Sequence, residues 1–318
     1  MARQRHGATG SRTRATEPLQ SVDESEAEGR PARLGSKPAP GLYLVATPIG
    51  NMGDITFRAV ETLRAADVVA CEDTRVTARL MARLGLERPL TPYHEHNADK
   101  ARPALLARLR EGGRVALVSD AGTPLVSDPG YRLVAACVAE GLAVTAIPGA
   151  SAVPTALQLS ALPTDRWLFA GFLPSKATQR RQTLREVAAV PATLVFYESP
   201  NRLADSLADM MTVLGDRPAA VARELTKLHE EVARGPLSRL AARYAASGPP
   251  KGEVVVVVGA PTDAAPAGED DIEARLRTAV DGGASVKDAA ALVAAETGHP
   301  RRDVYALALR LFRGGNDG

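Results

Sequence analysis

Cysteine, aromatic residues and net charge are all scarce in this sequence. Its 318 residues include two cysteines, 4% aromatic residues and a formal net charge of +2. Cys71 and Cys137 sit in or beside apolar runs, which favours buried free thiols in a reducing compartment over a disulfide framework. With so little net charge, any nucleic-acid-binding surface must be a local patch.

Long apolar stretches are also absent. No run approaches the about 18 residues that would suggest a membrane span, and the first residues, MARQRHGATGSRTR, lack the apolar segment of a secretory signal. We therefore expect a cytoplasmic protein that does not enter a membrane.

Several common site motifs are missing as well. No GxGxxG follows the first predicted strand, and no GxxxxGK[ST] occurs, so the dinucleotide and P-loop classes are disfavoured. Ser119, Ser127 and Ser151 lie in predicted loops without a GxSxG elbow. His94 and His96 have no carboxylate or cysteine at metal-ligand spacing, so a solvated loop is the preferred interpretation and no metal is expected.

The periodicity of apolar residues predicts an α/β protein in several parts. Residues 1–39 are polar and predict a disordered N-terminal extension. Its Arg3, Arg5, Arg12 and Arg14 offer RNA contacts, although a dispensable tail is the favoured interpretation. Strands alternate with helices over 40–150, which indicates a parallel sheet, with Asp54 as a helix N-cap. A mixed-sheet α/β domain is predicted over 151–261, a linker over 262–271 and a small helix-turn-helix-like domain over 272–316.

Four polar loops follow predicted strands of the first domain: TPIGNMGD, CEDTR, SDAGTPLVSDPG and PGASA. Loops at the carboxyl ends of parallel strands meet at one edge of the sheet, where ligands bind. These loops are rich in small residues and poor in titratable groups. Such a crevice suits a ligand that carries its own reactivity and must mainly be oriented, and S-adenosylmethionine fits that description.

The sequence resembles a known family in seven motifs that occur in order: VATPIGNMGDIT, CEDTR, SDAGTPLVSDPG, PGASA, FAGFLP, FYESPNR and RELTK. They are similar to those of the ribosomal RNA small subunit methyltransferase I family, within the tetrapyrrole-methylase-like superfamily. The resemblance implies two α/β domains of the tetrapyrrole methylase type with a cofactor cleft between them, plus a small C-terminal helical appendix. It also implies a homodimer and 2′-O-ribose methylation of a cytidine in the decoding region of 16S rRNA, on the assembled small subunit.

The same resemblance implies a set of cofactor contacts. GTPLV matches the loop that wraps the methionine part of the cofactor. The turn after the first strand and the pair of residues after PG line the site. The strand end Phe196–Tyr197 covers the adenine. The implied cofactor-binding residues are Pro48, Ile49, Gly122, Thr123, Val126, Ser151, Ala152 and Tyr197.

A base that accepts the hydroxyl proton would assist methyl transfer to a ribose. The candidates at the crevice are Glu72, Asp73, Glu198, Glu224 and Lys227, and the preferred catalytic set is Asp73, Arg75, Glu198 and Lys227. Two structural alternatives stay open, since Arg75 can pair with Asp73 and Arg223 can pair with Glu224. A lysine kept partly deprotonated in a desolvated site would also serve as base.

Clustered basic residues are the candidates for RNA binding. Lys176, Arg180, Arg181 and Arg185 follow FAGFLP, and the last two share a helix face four residues apart. A solvated helix face is the alternative interpretation, and Arg301, Arg302 and Arg310 form a second candidate patch. Two other functions remain open: methylation of a small tetrapyrrole-type molecule, and RNA binding without catalysis.

Overall fold

The computed structural model describes residues 38–261, 269–297 and 299–313. These residues form two five-stranded sheets with their helices, followed by a group of helices at the C-terminal end. The predicted disordered extension, apart from its last two residues, lies outside the described residues. So does most of the predicted linker.

The first sheet is parallel throughout, in the strand order β3-β2-β4-β1-β5. Its strands are β1 (Gly41–Val45), β2 (Val68–Cys71), β3 (Leu90–Pro92), β4 (Arg114–Val118) and β5 (Val144–Ile147). The helices between them are α1 (Phe57–Ala65), α2 (Thr74–Arg83), α3 (Ala98–Arg110) and α4 (Tyr131–Ala139). The prediction of a parallel α/β fold is confirmed.

The chain leaves the neighbouring strands β1 and β4 in opposite directions. After β1 it crosses to β2 on one side, and after β4 it crosses to β5 on the other. Right-handed crossovers in opposite directions place their helices on opposite faces. Accordingly, Leu63 of α1 packs in one core and Leu133 of α4 in the other. The carboxyl ends of β1 and β4 therefore flank a topological switch point, where a crevice opens.

The second sheet is mixed, in the order β6-β7-β10-β8-β9, with only β6 and β7 parallel among these pairs. Its strands are β6 (Trp167–Phe172), β7 (Thr193–Glu198), β8 (Pro218–Arg223), β9 (Glu231–Pro236) and β10 (Val254–Val258). Helix α5 (Ala152–Ser160) covers one face, and α6 (Ala177–Ala188), α7 (Leu203–Leu214) and α8 (Leu237–Ser247) cover the other. All five valines of β10 are buried, as expected for a central strand covered on both faces.

The last helices are α9 (Glu269–Asp281), α10 (Val286–Thr297) and α11 (Arg301–Arg313). Ile272, Leu276, Val293 and Val304 are among the side chains that form their common core. Helices this short are marginal alone, so packing against one another stabilises them. None of the described helices is both long and apolar enough to cross a bilayer.

Some local features differ from the sequence-based predictions. Asp54 does not cap α1; it lies in a short 3₁₀ turn, and the Thr56 hydroxyl accepts from the Ala59 N–H instead, at 3.1 Å. Strand β3 was not predicted, because three residues at a sheet edge leave no periodic pattern. Cys71 and Cys137 are free and buried, as expected.

Candidate active site

The loop after β4, residues 119–130, is anchored to the loop after β1. Thr47 and Gly122 exchange two backbone hydrogen bonds, of 2.9 and 3.1 Å. The Thr123 hydroxyl donates to the carbonyl of Ala150, at 3.3 Å. Three loops of the first domain are thus held together at the switch point.

The backbone of this loop is unusual. Gly122, Leu125 and Ser127 have positive φ angles of 80, 71 and 63°. Leucine and serine rarely adopt this conformation, at a cost of about 1–2 kcal/mol each. The surrounding hydrogen bonds hold the loop in a shape that its residues would not prefer alone, and such strain concentrates at ligand sites.

A cleft of about 380 Å³ opens beside this loop, between the two sheets. That volume lies in the range of about 300–1,000 Å³ typical of small-molecule sites. The first domain and the start of α5 contribute Ile49, Asp120, Ala121, Gly122, Thr123, Val126, Ser127, Asp128 and Ala152. The second domain contributes Phe172, Tyr197, Glu198, Ser199, Pro200, Gly252, Glu253, Val254 and Val255.

The cleft brings together six of the eight residues expected to contact the cofactor: Ile49, Gly122, Thr123, Val126, Ala152 and Tyr197. Pro48 instead lines a neighbouring cleft of about 230 Å³, which shares Asp120 with the first. Ser151 occupies the N-cap position of α5, next to Ala152.

Aromatic rings form one wall of the cleft. Tyr197 packs edge-on against Phe169, with ring centroids 4.9 Å apart, and lies 5.3 Å from Phe172. Burial, with a smaller contribution from the Asp128 carboxylate, raises the pKa of Tyr197 to about 12. The phenol therefore stays protonated and offers an apolar face to a planar ligand group.

Asp73 and Arg75 form the structural pair that the sequence left open. Arg75 Nη2 lies 2.7 Å from Asp73 Oδ2, and Asp73 also caps α2 by accepting from the Arg75 N–H at 2.8 Å. These hydrogen bonds lower the pKa of Asp73 to about 2. A carboxylate held so firmly in its ionised form is a weak proton acceptor.

Lys227 lies between two carboxylates. Its ammonium is 2.7 Å from Glu224 Oε1 and 3.0 Å from Glu253 Oε2. Burial disfavours the charge, but these two hydrogen bonds outweigh it and raise the pKa of Lys227. The lysine is therefore protonated in this arrangement, contrary to the expectation of a partly neutral base. Arg223 pairs with Glu231 at 2.8 Å instead of with Glu224.

Glu198 is buried at the end of β7 and fully engaged. Its carboxylate accepts from the Ser199 N–H at 2.6 Å and from the Ser206 hydroxyl at 2.5 Å, and Arg202 Nη2 lies 2.6 Å away. These partners fix the turn that follows the strand. Glu198 thus holds this turn and also lines the cleft.

The sequence reasoning did not single out three further carboxylates in the cleft, Asp120, Asp128 and Glu253. Burial, then the neighbouring Glu72 carboxylate, raise the pKa of Asp128 to about 6, although a hydrogen bond with Ser119 opposes them. Burial raises the pKa of Asp120 as well. In the sequence, Asp128 stands out only as part of the turn-forming SDPG. The raised pKa values depend on burial and like-charge neighbours, and these arise from the fold.

Comparison with known proteins agrees with this geometry. Residues 41–241 match the tetrapyrrole (corrin/porphyrin) methylases, and residues 266–312 match the RsmI C-terminal HTH domain. Proteins named ribosomal RNA small subunit methyltransferase I from Mesorhizobium japonicum and Erythrobacter litoralis are 52% and 54% identical, covering 91% and 86% of this chain and 96% of each relative. The Escherichia coli O157:H7 protein of that name is 45% identical, over 84% of this chain and 94% of its own. The chain belongs to the ribosomal RNA small subunit methyltransferase I family.

Solved structures show how widely the fold of this methyltransferase family is shared. Diphthine synthase superposes with a TM-score of 0.53 at 18% identity, covering 69% of this chain and 89% of its own. Cobalt precorrin-4 methyltransferase superposes with a TM-score of 0.52 at 19% identity, covering 69% of this chain and 94% of its own. These similarities show the fold alone.

The basic residues predicted to bind RNA do not share one environment in this methyltransferase fold. Arg180 is buried and pairs with buried Asp209, at 2.6 Å, so its guanidinium does not face solvent. Arg181 bonds to the same carboxylate but remains half exposed. Lys176 and Arg185 are exposed.

Adding a side chain at Gly122 tests the assignment of the methyltransferase cleft. A Cβ there would lie 3.2 Å from Ile49 Cγ2, at a φ of +80°. We expect Gly122→Ala to weaken S-adenosylmethionine binding at least about tenfold, measured by calorimetry. Gly141→Ala is the matched control, since its φ is +67° with nothing within 4 Å. Equal affinities in the two variants would contradict the assignment.

Proposed function

We propose that this protein transfers a methyl group from S-adenosylmethionine to the ribose 2′-oxygen of a cytidine in the decoding region of 16S rRNA. The acceptor is the assembled small subunit. The observation that carries the proposal is one cleft that gathers six cofactor-type residues, in a chain 52–54% identical over most of its length to proteins named ribosomal RNA small subunit methyltransferase I.

The residues of the cleft fit the chemistry of S-adenosylmethionine. Its adenine matches the apolar wall of Phe172, Tyr197 and Val255. Its cationic groups match the carboxylate of Asp120. When bound, the cofactor supplies an electrophilic methyl group, so the protein must orient the acceptor hydroxyl and remove its proton.

Asp128 is the best-placed group to take that proton. It lines the cofactor cleft, and at neutral pH its carboxylate is ionised although its pKa is raised to about 6. A base works best when its pKa lies near the working pH, which favours Asp128 over Asp73. In the transfer, Asp128 would accept the 2′-hydroxyl proton as the ribose oxygen takes the methyl group. The cofactor would supply that methyl group by losing its sulfur–methyl bond and would leave as the neutral thioether.

The other residues of the predicted catalytic set have positioning roles in this proposal. Asp73 and Arg75 fix the start of α2 beside the crevice. Lys227 ties the turn after β8 to Glu253, which lines the cleft. Glu198 holds the turn after β7.

We propose that RNA phosphates are contacted by three basic residues on or just before α6: Lys176, Arg181 and Arg185. Buried Arg180 supports Arg181, because both side chains bond to the Asp209 carboxylate. Arg301 and Arg302 on α11 are exposed and offer a second contact, together with Arg310. A substrate as large as the small subunit can contact both regions.

We further propose that the protein acts as a homodimer in the cytoplasm. Large apolar residues remain exposed on the chain. Among them are Phe57, Tyr131 and Leu228, which are 83, 76 and 92% exposed. Burial of such side chains against a second copy of the chain would favour association.

Transfer of label from methyl-labelled S-adenosylmethionine tests the function. Small subunits from cells that lack this protein should acquire label in a 2′-O-methylated cytidine, identified by mass spectrometry of digested rRNA. Subunits from wild-type cells, already modified, should take up little. Cofactor binding without label in rRNA would reject the rRNA substrate and favour a small tetrapyrrole-type acceptor.

A further inference from the structure

The second domain has a cleft of its own, of about 450 Å³, which we call the second cleft. It is lined by the ends of β8 and β9, the last turn of α8 and the segment 248–251. Lys251 lines this second cleft, whereas the next two residues, Gly252 and Glu253, line the cofactor cleft. A polymer lying in one cleft can therefore reach the other.

Positive charge dominates the second cleft. Arg223, Arg243 and Lys251 line it together with His229, and Glu231 is the only carboxylate among its lining residues. Glu231 pairs with both arginines, so one negative charge faces three positive ones. The exposed Lys251 ammonium makes no ion pair within the part of the chain that the structure describes.

Tyr244 adds a buried polar group without a partner. Its side chain lines the same cleft, the residue is only 4% exposed, and its hydroxyl makes no hydrogen bond among the described residues. The Arg243 guanidinium lies 5.5 Å from the centre of its ring. Buried hydroxyls are normally satisfied, so Tyr244 leaves a hydrogen-bond donor unused beside the cleft.

We propose that this second cleft binds a phosphate of the RNA backbone close to the nucleotide being methylated. Guanidinium, ammonium and hydroxyl groups are the donors that contact phosphate oxygens in RNA complexes. The closeness of the cofactor cleft, lined by Gly252 next to Lys251, favours a phosphodiester of the substrate over a free anion. The inference rests on the proposed rRNA substrate and adds contacts outside the α6 region.

Subunit binding by charge-neutralised variants tests the proposal. In Lys251→Gln and Arg243→Gln, the Kd for unmethylated small subunits should rise several-fold, and the slope of log K against log salt should decrease by about 1 per lost contact. Calorimetric affinity for S-adenosylmethionine should be unchanged. Arg239→Gln is the matched control, because Arg239 is exposed on the same helix but does not line the cleft.

The outcomes separate this site from the proposed function. If wild-type protein methylates the subunit but both variants bind it like Arg239→Gln, the phosphate site is rejected. If inorganic phosphate raises the melting temperature of the wild type and not of the variants, while their subunit affinity is unchanged, the cleft is a free-anion site and the RNA proposal fails. Failure of wild-type protein to methylate any rRNA would reject the function itself.

Discussion

Replacing Asp128 by asparagine should lower kcat/KM for methylation of the small subunit by about 10²–10⁴-fold. Asparagine keeps the size of the side chain but cannot accept a proton from the ribose hydroxyl. The loss should appear in kcat at saturating S-adenosylmethionine, because the proton moves only as the new bond forms. Rates from a filter assay with labelled cofactor give both parameters.

The pH profile provides a second readout of the same variant. Burial and the Glu72 carboxylate raise the pKa of Asp128 to about 6, and only its ionised form can act as base. In the wild type, kcat/KM should fall with decreasing pH below about 6 and level off above it. Asp128→Asn should lose this acidic limb.

The neighbouring carboxylate supplies the matched control. Asp120 also lines the cleft, and its Oδ1 accepts from the Asp73 N–H at 3.1 Å. Asparagine can accept the same hydrogen bond, so Asp120→Asn should reduce kcat less than about tenfold and keep the acidic limb. Equal losses in the two variants, or an acidic limb that persists in Asp128→Asn, would show that Asp128 is not the base.

The elements predicted from sequence are those whose signal is local. The valines of β10 form an apolar run long enough for a buried strand, and the amphipathic helices repeat their apolar residues every three or four positions. The loop 119–130 was recognised from its small and turn-forming residues. Its position at the carboxyl edge of the first sheet was predicted from the alternation of strands and helices. The strand order that makes this edge a switch point comes from the structure.

What sequence could not supply is pairing between distant residues. Arg180 looked like one of four surface cations, and its burial depends on Asp209, which is 29 positions away. Lys227 looked like a desolvated base, and Glu253, 26 positions away, helps to keep it charged. Asp128 acquires its raised pKa from burial and from Glu72 on another loop. Each property is set by a neighbour that no local pattern identifies.

Removing the Asp209 carboxylate should destabilise the fold by about 3–5 kcal/mol, because it leaves a buried guanidinium without its counter-charge. The side chains of Arg180 and Asp209 are only 6% and 5% exposed, and they lie 2.6 Å apart. Arg181 donates to the second oxygen of the same carboxylate. Asp209→Ala should therefore unfold at much lower urea concentration than the wild type. Arg185 is an exposed cation on α6, the helix of Arg180, and Arg185→Gln should change the free energy of unfolding by less than about 0.5 kcal/mol.

The double variant Arg180→Met with Asp209→Leu distinguishes a structural pair from an RNA contact. Replacing both charges by apolar groups removes the desolvation cost of each, so much of the stability lost in Asp209→Ala should return. If Arg180 serves only to hold α6 on α7, the double variant should bind small subunits with nearly wild-type affinity. A large loss of subunit affinity in a stably folded double variant would instead show that the Arg180–Asp209 pair, and the placement of Arg181 that depends on it, form part of the RNA-binding surface.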